Sequence, residues 1–182
     1  MMKRPDQIKD APDLGVDSRV PPGQFLTTKF PVLTYGSAPK VDLATWRFRV
    51  FGFVEQEKEL HWAGLADLGW TTITADFHCV TQWSALDNTW DGITLNRLVA
   101  MAQPKAEANF IMAHCFGGYT TNLPLDLALE EGFLAHKQDG EELGEGHGWP
   151  LRLIVPSRYA WKSAKCLNGI ELMAEDKPGF WE

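Results

Sequence analysis

Cys79 is the residue of this chain whose neighbours best suit it to bind a metal or a reactive ligand. It lies in the segment 76–83 (DFHCVTQW), a polar and aromatic turn that follows a probable strand. A thiolate in such a turn can face a ligand, whereas a cysteine among apolar residues usually packs as a small core side chain. Cys115 and Cys166 are interpreted as core residues of that kind. One cysteine alone does not identify the ligand.

Two His-Cys dipeptides, His78-Cys79 and His114-Cys115, together supply side chains that zinc favours. Structural zinc sites usually space their ligands more widely, and adjacent residues of a strand point to opposite faces of its sheet. A zinc site built from these two pairs is therefore kept as an alternative to the chemistry described below.

Charge is distributed unevenly in the last third of the chain. Residues 126–145 contain seven acids and one lysine, whereas residues 147–170 contain four basic residues and no acid. In an acidic protein such a segment can bind a phosphate or similar anion, because guanidinium and ammonium groups both suit anionic oxygens. Alternatively, its cations pair with the acidic stretch before it, and composition leaves both interpretations open. The four basic residues are Arg152, Arg158, Lys162 and Lys165.

Other common catalytic motifs are missing from the sequence. No serine has the flanking glycines of a nucleophile elbow, and no lysine follows a phosphate-binding glycine loop. Gly144, Gly146 and Gly148 lie between an acidic stretch and a strand, whereas a dinucleotide fingerprint lies between a strand and a helix. The sequence therefore does not support a hydrolase, nucleotidase or dinucleotide-binding function.

Short strands and shorter helices must position these residues. Alternating apolar and polar residues predict strands, and apolar residues three or four apart predict helices. The two kinds of element do not alternate regularly, so the pattern is typical of a strand-rich α+β domain. The predicted strands are 46–51, 71–77, 110–114, 132–137, 151–155 and 169–173, and the predicted helices contain Trp62, Leu65 and Leu68, then Leu95, Leu98 and Val99, then Leu125–Leu129.

Length and composition set the limits of the function. A chain of 182 residues with 45% hydrophobic and 23% charged residues fits one globular domain. A formal net charge of −7 argues against a general nucleic-acid or anionic-membrane binder. Three cysteines without a C-x-x-C pair argue against a disulfide scaffold, so a reduced cytoplasmic protein is expected.

The two ends of the sequence differ in character. Residues 1–24 are rich in Asp, Lys and Pro and predict an extended tail, followed by one domain over residues 25–182. The first residues lack the apolar stretch of a signal peptide, and no run approaches the roughly 20 apolar residues of a membrane span. The protein is expected to be soluble.

Two segments taken together resemble a known family. The first is 77–84 (FHCVTQWS), and the second runs from His147 to Lys165, with the pattern H-G-x-P-hydrophobic-R and a lysine thirteen residues after the arginine. They resemble the molybdopterin-binding domain of the sulfite oxidase family, and the likeness runs from about residue 23 to residue 182. It implies a single domain with the mixed-sheet α+β sulfite oxidase fold and a molybdenum-molybdopterin cofactor.

The resemblance also assigns roles to individual residues. It implies that Cys79 is the thiolate ligand of molybdenum and that Tyr119, five residues before a proline, is the active-site tyrosine. Molybdenum bound to a dithiolene favours a soft anionic sulfur, so one well-placed cysteine suffices. The further residues expected to bind or surround the cofactor are Thr34, Tyr35, His78, His114, His147, Arg152, Ser163, Ala164 and Lys165.

The sequence departs from sulfite oxidases proper around the substrate. Those enzymes carry arginines after the cysteine and near the N-terminus, and a small dianion would meet Leu33 and Gln82 here instead. The C-x-x-x-W-S pattern is more similar to the bacterial branch that includes protein-methionine-sulfoxide reductase catalytic subunits. We therefore expect a molybdopterin-dependent oxidoreductase that transfers an oxygen atom to or from a small or protein-borne S-oxide, N-oxide or related substrate.

The resemblance also bears on partners. No haem-binding motif is present, so electrons are expected to come from a separate haem or flavin protein, and the chain is expected to be a monomer. A non-catalytic module that binds or carries molybdopterin is the alternative function, because it would explain the missing substrate arginines.

Overall fold

A computed structural model describes residues 19–34 and 36–182 of the chain. Tyr35 and residues 1–18, most of the predicted tail, lie outside the described residues. The elements in chain order are β1 (Phe25–Leu26), β2 (Arg47–Gly52), β3 (Lys58–His61), α1 (Trp62–Ala66), β4 (Thr71–Cys79), β5 (Trp83–Thr94), α2 (Leu95–Ala102), β6 (Phe110–Cys115), β7 (Thr120–Pro124), α3 (Leu125–Glu131), β8 (Phe133–Gln138), β9 (Glu141–Glu142), a 3-10 turn (Glu145–His147), β10 (Arg152–Ile154) and β11 (Leu167–Met173).

The first sheet is organised around β5. Strand β4 pairs antiparallel with β5 along its length, so that Cys79 lies opposite Trp83 at the end of the hairpin. On the other side of β5, β1 pairs parallel with the start of the strand, and β8 pairs antiparallel with its end. Strand β8 in turn pairs antiparallel with β9 and with β10. This sheet brings the segments around Cys79 and Arg152 into one structural unit.

The second sheet has the strand order β3-β2-β11-β6-β7. Strand β11 lies at its centre, parallel to β2 and antiparallel to β6. In β2 the side chains alternate as predicted, since Arg47 and Arg49 are exposed and Phe48 and Val50 are buried. The turn from β6 to β7 carries Tyr119, and the loop from β10 to β11 carries the rest of the basic segment.

Two apolar clusters hold the domain together. The larger one joins the second sheet to the three helices through Phe48, Leu98 and Ile170, all of which are almost fully buried. The smaller one lies in the first sheet, where Phe77, Trp83 and neighbouring side chains pack against one another. Because Cys79 belongs to the smaller cluster, its position is fixed by packed aromatic rings.

The predicted α+β class is confirmed, with mixed sheets and short helices. All six predicted strands and all three predicted helices are present, but β1, β3, β5, β7 and β9 are missing from the prediction. The longest of these strands is β5. Its sequence contains Asp87, Asn88, Asp91 and Gly92, which disfavour strands, and both of its long edges are paired. Within the described residues, no helix has the length and apolar character needed to span a membrane.

Candidate active site

One cavity of about 690 Å³ opens between the two sheets' connecting loops. Its walls come from residues 30–34, 37–39, 79–81, 116–117, 160–161 and 163–166, together with Trp83, Tyr119, Arg152 and further side chains. Segments far apart in the sequence therefore meet at one place. Seven of the residues expected to bind or surround the cofactor line it: Thr34, Cys79, Tyr119, Arg152, Ser163, Ala164 and Lys165.

Cys79 occupies the last position of β4, where the chain turns into β5. The turn is closed by a hydrogen bond from the Gln82 amide to the Cys79 carbonyl (3.0 Å), and Gln82 takes a left-handed conformation with φ of 72°. A three-residue hairpin loop usually ends in such a residue. The Cys79 side chain is 5% exposed, and its Sγ accepts a hydrogen bond from the Thr81 hydroxyl at 3.1 Å. The turn thus presents one thiol to the cavity.

A chain of hydrogen bonds through Gln24, Ser84 and His78 fixes the backbone of Cys79. The Gln24 side-chain amide donates to the Cys79 carbonyl at 3.0 Å, and the Ser84 hydroxyl donates to Gln24 Oε1. Because the Ser84 proton is used in this way, Ser84 Oγ accepts from His78 Nδ1 at 2.9 Å. His78 is therefore a support of the cysteine turn and does not itself line the cavity. Gln24, the last residue of the predicted tail, is part of the same support.

Arg152 is a buried cation on the cavity wall. Its side chain is 2% exposed, and its guanidinium lies over the Phe77 ring, 4.7 Å from the centroid. The Nη1 atom donates to the His147 carbonyl at 3.1 Å, while the buried Nε has no hydrogen-bond partner among residues 19–34 and 36–182. Burial lowers the pKa of Arg152 to about 10, and the thiols of Cys79 and Cys166 act in the opposite direction. The group is still charged at neutral pH.

Lys165 joins two loops at the edge of the cavity. Its ammonium donates to the carbonyls of Leu33 (2.8 Å) and Gly146 (2.6 Å). Burial, followed by the charge of Arg152, lowers the pKa of Lys165 to about 8. Both basic groups are thus desolvated and close enough to repel each other, which is a favourable environment for an anion.

Gly148 makes room for this lysine. A Cβ atom on Gly148 would lie 3.0 Å from both Cα and Cβ of Lys165, and the Gly148 φ of 111° is one that other residues rarely adopt. A glycine is required at this position of the H-G-x-P pattern, because the backbone of Lys165 passes directly beside Gly148.

Tyr119 lines the cavity as a neutral phenol. Its hydroxyl donates to the Trp161 carbonyl at 2.5 Å, and its ring lies 5.6 Å from that of Phe180. Burial raises the pKa of Tyr119, and the nearby Cys115 and Glu182 raise it further. The hydroxyl consequently keeps its proton through the physiological range and can donate it or form a hydrogen bond.

The other two histidines expected near the cofactor, His147 and His114, lie in different surroundings. The His147 ring packs edge-on against Phe30, with 5.3 Å between centroids, and its buried Nδ1 has no hydrogen-bond partner within the described part of the chain. Burial, then the charges of Arg152 and Lys165, lower the pKa of His147. His114 lies on the second sheet, where its Nε2 pairs with Glu171 at 2.9 Å, and neither His114 nor His147 lines the cavity.

Backbone contacts fix the segment that carries Ser163 and Ala164. The Ser163 hydroxyl accepts from the Val155 amide at 3.0 Å, and the Ala164 carbonyl accepts from the Leu153 amide at 2.8 Å. Both residues are buried, so their loop is a rigid wall of the cavity.

Two of the four cations of the basic segment lie at the cavity, and a third, Lys162, pairs with Glu182 and not with the acidic stretch 126–145. Arg152 and Lys165 line the cavity, whereas Lys162 and Arg158 do not. The Lys162 ammonium donates to the Asn122 carbonyl at 2.7 Å and forms an ion pair with Glu182. Sequence alone could not separate these four residues, because their partners come from distant segments.

The residues of the cavity fit an anionic cofactor that contains a soft metal. They offer two desolvated cations for a phosphate and the thiols of Cys79 and Cys166, of which the Cys79 thiol is the one expected to bind the metal. Arg152 Nε and His147 Nδ1, which have no hydrogen-bond partner among the described residues, are buried near them. The two His-Cys pairs lie on strands of different sheets. Among the described residues no three His, Cys, Asp or Glu side chains are grouped for a metal ion, so the alternative zinc set is not assembled.

Comparison with known proteins identifies relatives over most of the chain. Residues 35–181 match the family model of the oxidoreductase molybdopterin binding domain. The uncharacterized oxidoreductase YuiH of Bacillus subtilis (strain 168) is 43% identical over 166 residues, which cover 90% of this chain and 84% of YuiH.

More distant relatives are larger proteins. The protein-methionine-sulfoxide reductase catalytic subunit MsrP of Campylobacter jejuni is 26% identical over 163 residues, covering 80% of this chain and 54% of MsrP. The crystal structure of the sulfane dehydrogenase SoxCD from Paracoccus pantotrophus superimposes with a TM-score of 0.70 at 21% identity, covering 80% of this chain and 41% of that one. The SoxCD structure has the same fold, and the chain spans about half the length of these two proteins.

Proposed function

The chain belongs to the oxidoreductase molybdopterin-binding domain family and is therefore an enzyme with a molybdopterin cofactor, and we propose that it reduces a sulfoxide or a related uncharged S-oxide or N-oxide. The resemblance to this family stated from the sequence is confirmed. Membership also favours an oxidoreductase over a non-catalytic carrier. The substrate and the direction of the reaction are the proposed part.

The residues of the cavity suit distinct parts of the cofactor. We assign the Cys79 thiolate to molybdenum, and Arg152 and Lys165 to the phosphate, with Ser163, Ala164, Thr34 and His147 around the pterin. When bound, the cofactor supplies two-electron oxygen-atom transfer, and the protein supplies orientation and electrostatics. Thr81 and the Gln24 support would hold the thiol in position. Tyr35 keeps its proposed place in the pterin-contacting segment.

One observation carries the choice of an uncharged substrate. Among the described residues that line the cavity, Arg152 and Lys165 are the cationic side chains, and both lie beside Cys166 and the loop of His147. If both bind the cofactor phosphate, no lysine or arginine of the described lining is left for an anionic substrate such as sulfite or nitrate. Relatives named protein-methionine-sulfoxide reductase support a sulfoxide.

Tyr119 is the proposed proton donor. In the reduction of a sulfoxide the sulfur–oxygen bond breaks, sulfur gains two electrons, and the oxygen leaves as water after taking two protons. A neutral phenol on the cavity wall can hydrogen-bond this oxygen or give it one proton. The hydroxyl must first leave the Trp161 carbonyl or share its proton with it.

The two electrons would come from a separate haem or flavin protein, and we propose that the chain works as a monomer in the cytoplasm. All three cysteines are free, which agrees with a reducing compartment. The described residues include no helix that could span a membrane.

A reductase assay tests this function. Protein made in a host that synthesises molybdopterin would be mixed with reduced methyl viologen and, separately, with dimethyl sulfoxide, methionine sulfoxide, trimethylamine N-oxide or nitrate. Sulfite would be tested as an electron donor, with ferricyanide as the electron acceptor. We expect viologen oxidation with the sulfoxides and little with nitrate. Molybdenum-loaded protein that reduces none of the oxides, or that acts only on sulfite or nitrate, would overturn the proposal.

A further inference from the structure

The segment 179–182 is fastened beside Tyr119 by several polar contacts. The Phe180 amide donates to the Thr120 carbonyl at 3.0 Å, and the Gly179 amide donates to the Glu182 carboxylate at 2.6 Å. The same carboxylate forms the ion pair with Lys162, whose ammonium also binds the Asn122 side chain at 2.6 Å. The segment therefore lies along β7 in one defined position.

Gly179 allows this close approach. A Cβ atom at that position would lie 2.8 Å from the Thr120 carbonyl oxygen and from Thr121 Cα. Because both atoms belong to the backbone of β7, a larger residue would push the segment away from the strand.

The two aromatic residues of the segment lie on the cavity wall. Phe180 contacts Tyr119, and Trp181 packs edge-on against Phe180 with 4.9 Å between centroids. Their exposed fractions are 41% and 59%, although both side chains line the cavity. Of the seven large apolar side chains that the described residues expose, five line this cavity, so apolar exposure is concentrated at the site.

We propose that Phe180 and Trp181 bind the non-reacting apolar part of the substrate beside Tyr119, which makes alkyl aryl sulfoxides better substrates than small or charged oxides. This inference rests on the proposed sulfoxide reductase function. Aromatic rings contact both hydrocarbon groups and a thioether sulfur favourably. Because the segment is fixed before the substrate arrives, little ordering entropy opposes binding. The Lys162–Glu182 pair acts as a positioning contact for this aromatic wall.

The test compares two sulfoxides that share a reacting group. We would measure kcat/KM for methyl phenyl sulfoxide and for dimethyl sulfoxide in the wild type, Trp181→Ala and Phe180→Ala. Each variant should lower the ratio of kcat/KM for methyl phenyl sulfoxide to kcat/KM for dimethyl sulfoxide about tenfold, mainly by raising the KM for methyl phenyl sulfoxide. Phe53→Ala is the matched control, because Phe53 is 43% exposed but does not line the cavity. Molybdenum content should equal that of the wild type in all three variants.

A binding measurement supplies a readout that does not need turnover. Methyl phenyl sulfone resembles the aryl sulfoxide, and we would measure its Kd by calorimetry on the molybdenum-loaded protein. Trp181→Ala should weaken binding about tenfold, and Glu182→Gln should weaken it less while leaving the contacting rings in place.

The outcomes separate this inference from the proposed function. If the wild type reduces no sulfoxide, the proposed function fails, and the sulfone Kd still tests the aromatic wall. If sulfoxides are reduced but Trp181→Ala and Phe180→Ala keep the wild-type substrate ratio and the wild-type Kd, as Phe53→Ala should, the aromatic wall is wrong.

Discussion

The side-chain amide of Gln24 donates a hydrogen bond of 3.0 Å to the carbonyl oxygen of Cys79. The same carbonyl accepts the hydrogen bond that closes the cysteine turn, from the Gln82 amide. Two donors from different segments thus fix the peptide that carries the proposed metal ligand. Gln24 is in turn oriented by Ser84 and, through it, by His78.

Replacing Gln24 should lower cofactor retention without unfolding the protein. In Gln24→Glu the carboxylate can still accept from Ser84, but it cannot donate to the Cys79 carbonyl. Loss of a group that supports a metal ligand costs about 10- to 100-fold in metal affinity. The molybdenum-to-protein ratio after dialysis should fall several-fold in this variant and stay normal in Gln56→Glu, an exposed control. A Gln24→Glu protein with wild-type molybdenum content would exclude this role.

A methyl group at Gly148 should displace Lys165. In Gly148→Ala the new Cβ meets Lys165 backbone and side-chain atoms at 3.0 Å, and the left-handed backbone adds strain. We expect a loss of about 1–3 kcal/mol in unfolding free energy and a lower molybdenum content. Gly144→Ala is the control, since the nearest atom to its Cβ is 4.0 Å away and its φ is −69°. Equal urea midpoints for the two variants would contradict the packing argument.

The lowered pKa of Lys165 predicts how the stability of the cofactor-free protein depends on pH. Its pKa is about 8 in the folded protein against an ordinary 10.5, so the unfolded chain binds more protons between these values. The contribution of Lys165 to stability therefore rises with pH from about 8 to 10.5 and is constant below that window. Urea unfolding of the wild type and Lys165→Met between pH 7 and 10 would follow it, because the raised pKa values of Cys115 and Tyr119 occur in both proteins. Loss of the Lys165 charge also raises the pKa of Cys166 further, which changes the difference between the two proteins in the same direction. The wild type should gain stability relative to the variant as pH rises, and a constant difference would contradict the prediction.

Removing the Tyr119 hydroxyl should slow turnover while leaving the cofactor in place. In Tyr119→Phe we expect kcat with dimethyl sulfoxide to fall by about 100-fold, as for loss of a general acid. The molybdenum content should be unchanged, because the hydroxyl contacts the Trp161 carbonyl and not a residue assigned to the phosphate. Stopped-flow turnover and metal analysis on the same preparation would check both statements. Unchanged turnover in a fully loaded variant would show that another group supplies the proton.

Local sequence patterns predicted most of the fold because they reflect burial. Phe48 and Val50 alternate with exposed arginines in β2, and Leu95, Leu98 and Val99 share the buried face of α2. Strand β5 was not predicted from its local pattern, because its polar side chains form hydrogen bonds with neighbouring strands that the local sequence does not reveal. Asn88, for example, donates to the Ala75 carbonyl of β4 at 3.4 Å and accepts from the Gln138 side chain of β8 at 3.1 Å.

A recognisable spacing pointed to Arg152 and Lys165, which line the cavity, and to His147, which does not. The site was not predictable where a residue acts through a partner far away in the sequence. Lys162 and Lys165 look equivalent in the sequence, yet one pairs with Glu182 and the other binds the Leu33 and Gly146 carbonyls. Gln24, Phe180 and Trp181 belong to no motif, and their positions follow only from the assembled fold.

The most direct test of the account is the metal content of three proteins made in a host that synthesises molybdopterin: the wild type, Cys79→Ala and Cys115→Ala. Cys115 is a matched control because it is a buried free cysteine that does not line the cavity. Mass spectrometry should find near-stoichiometric molybdenum in the wild type and in Cys115→Ala, and a sharp loss in Cys79→Ala. A well-folded wild type without molybdenum, or a Cys79→Ala variant that retains all of it, would contradict the assignment of Cys79 as the ligand.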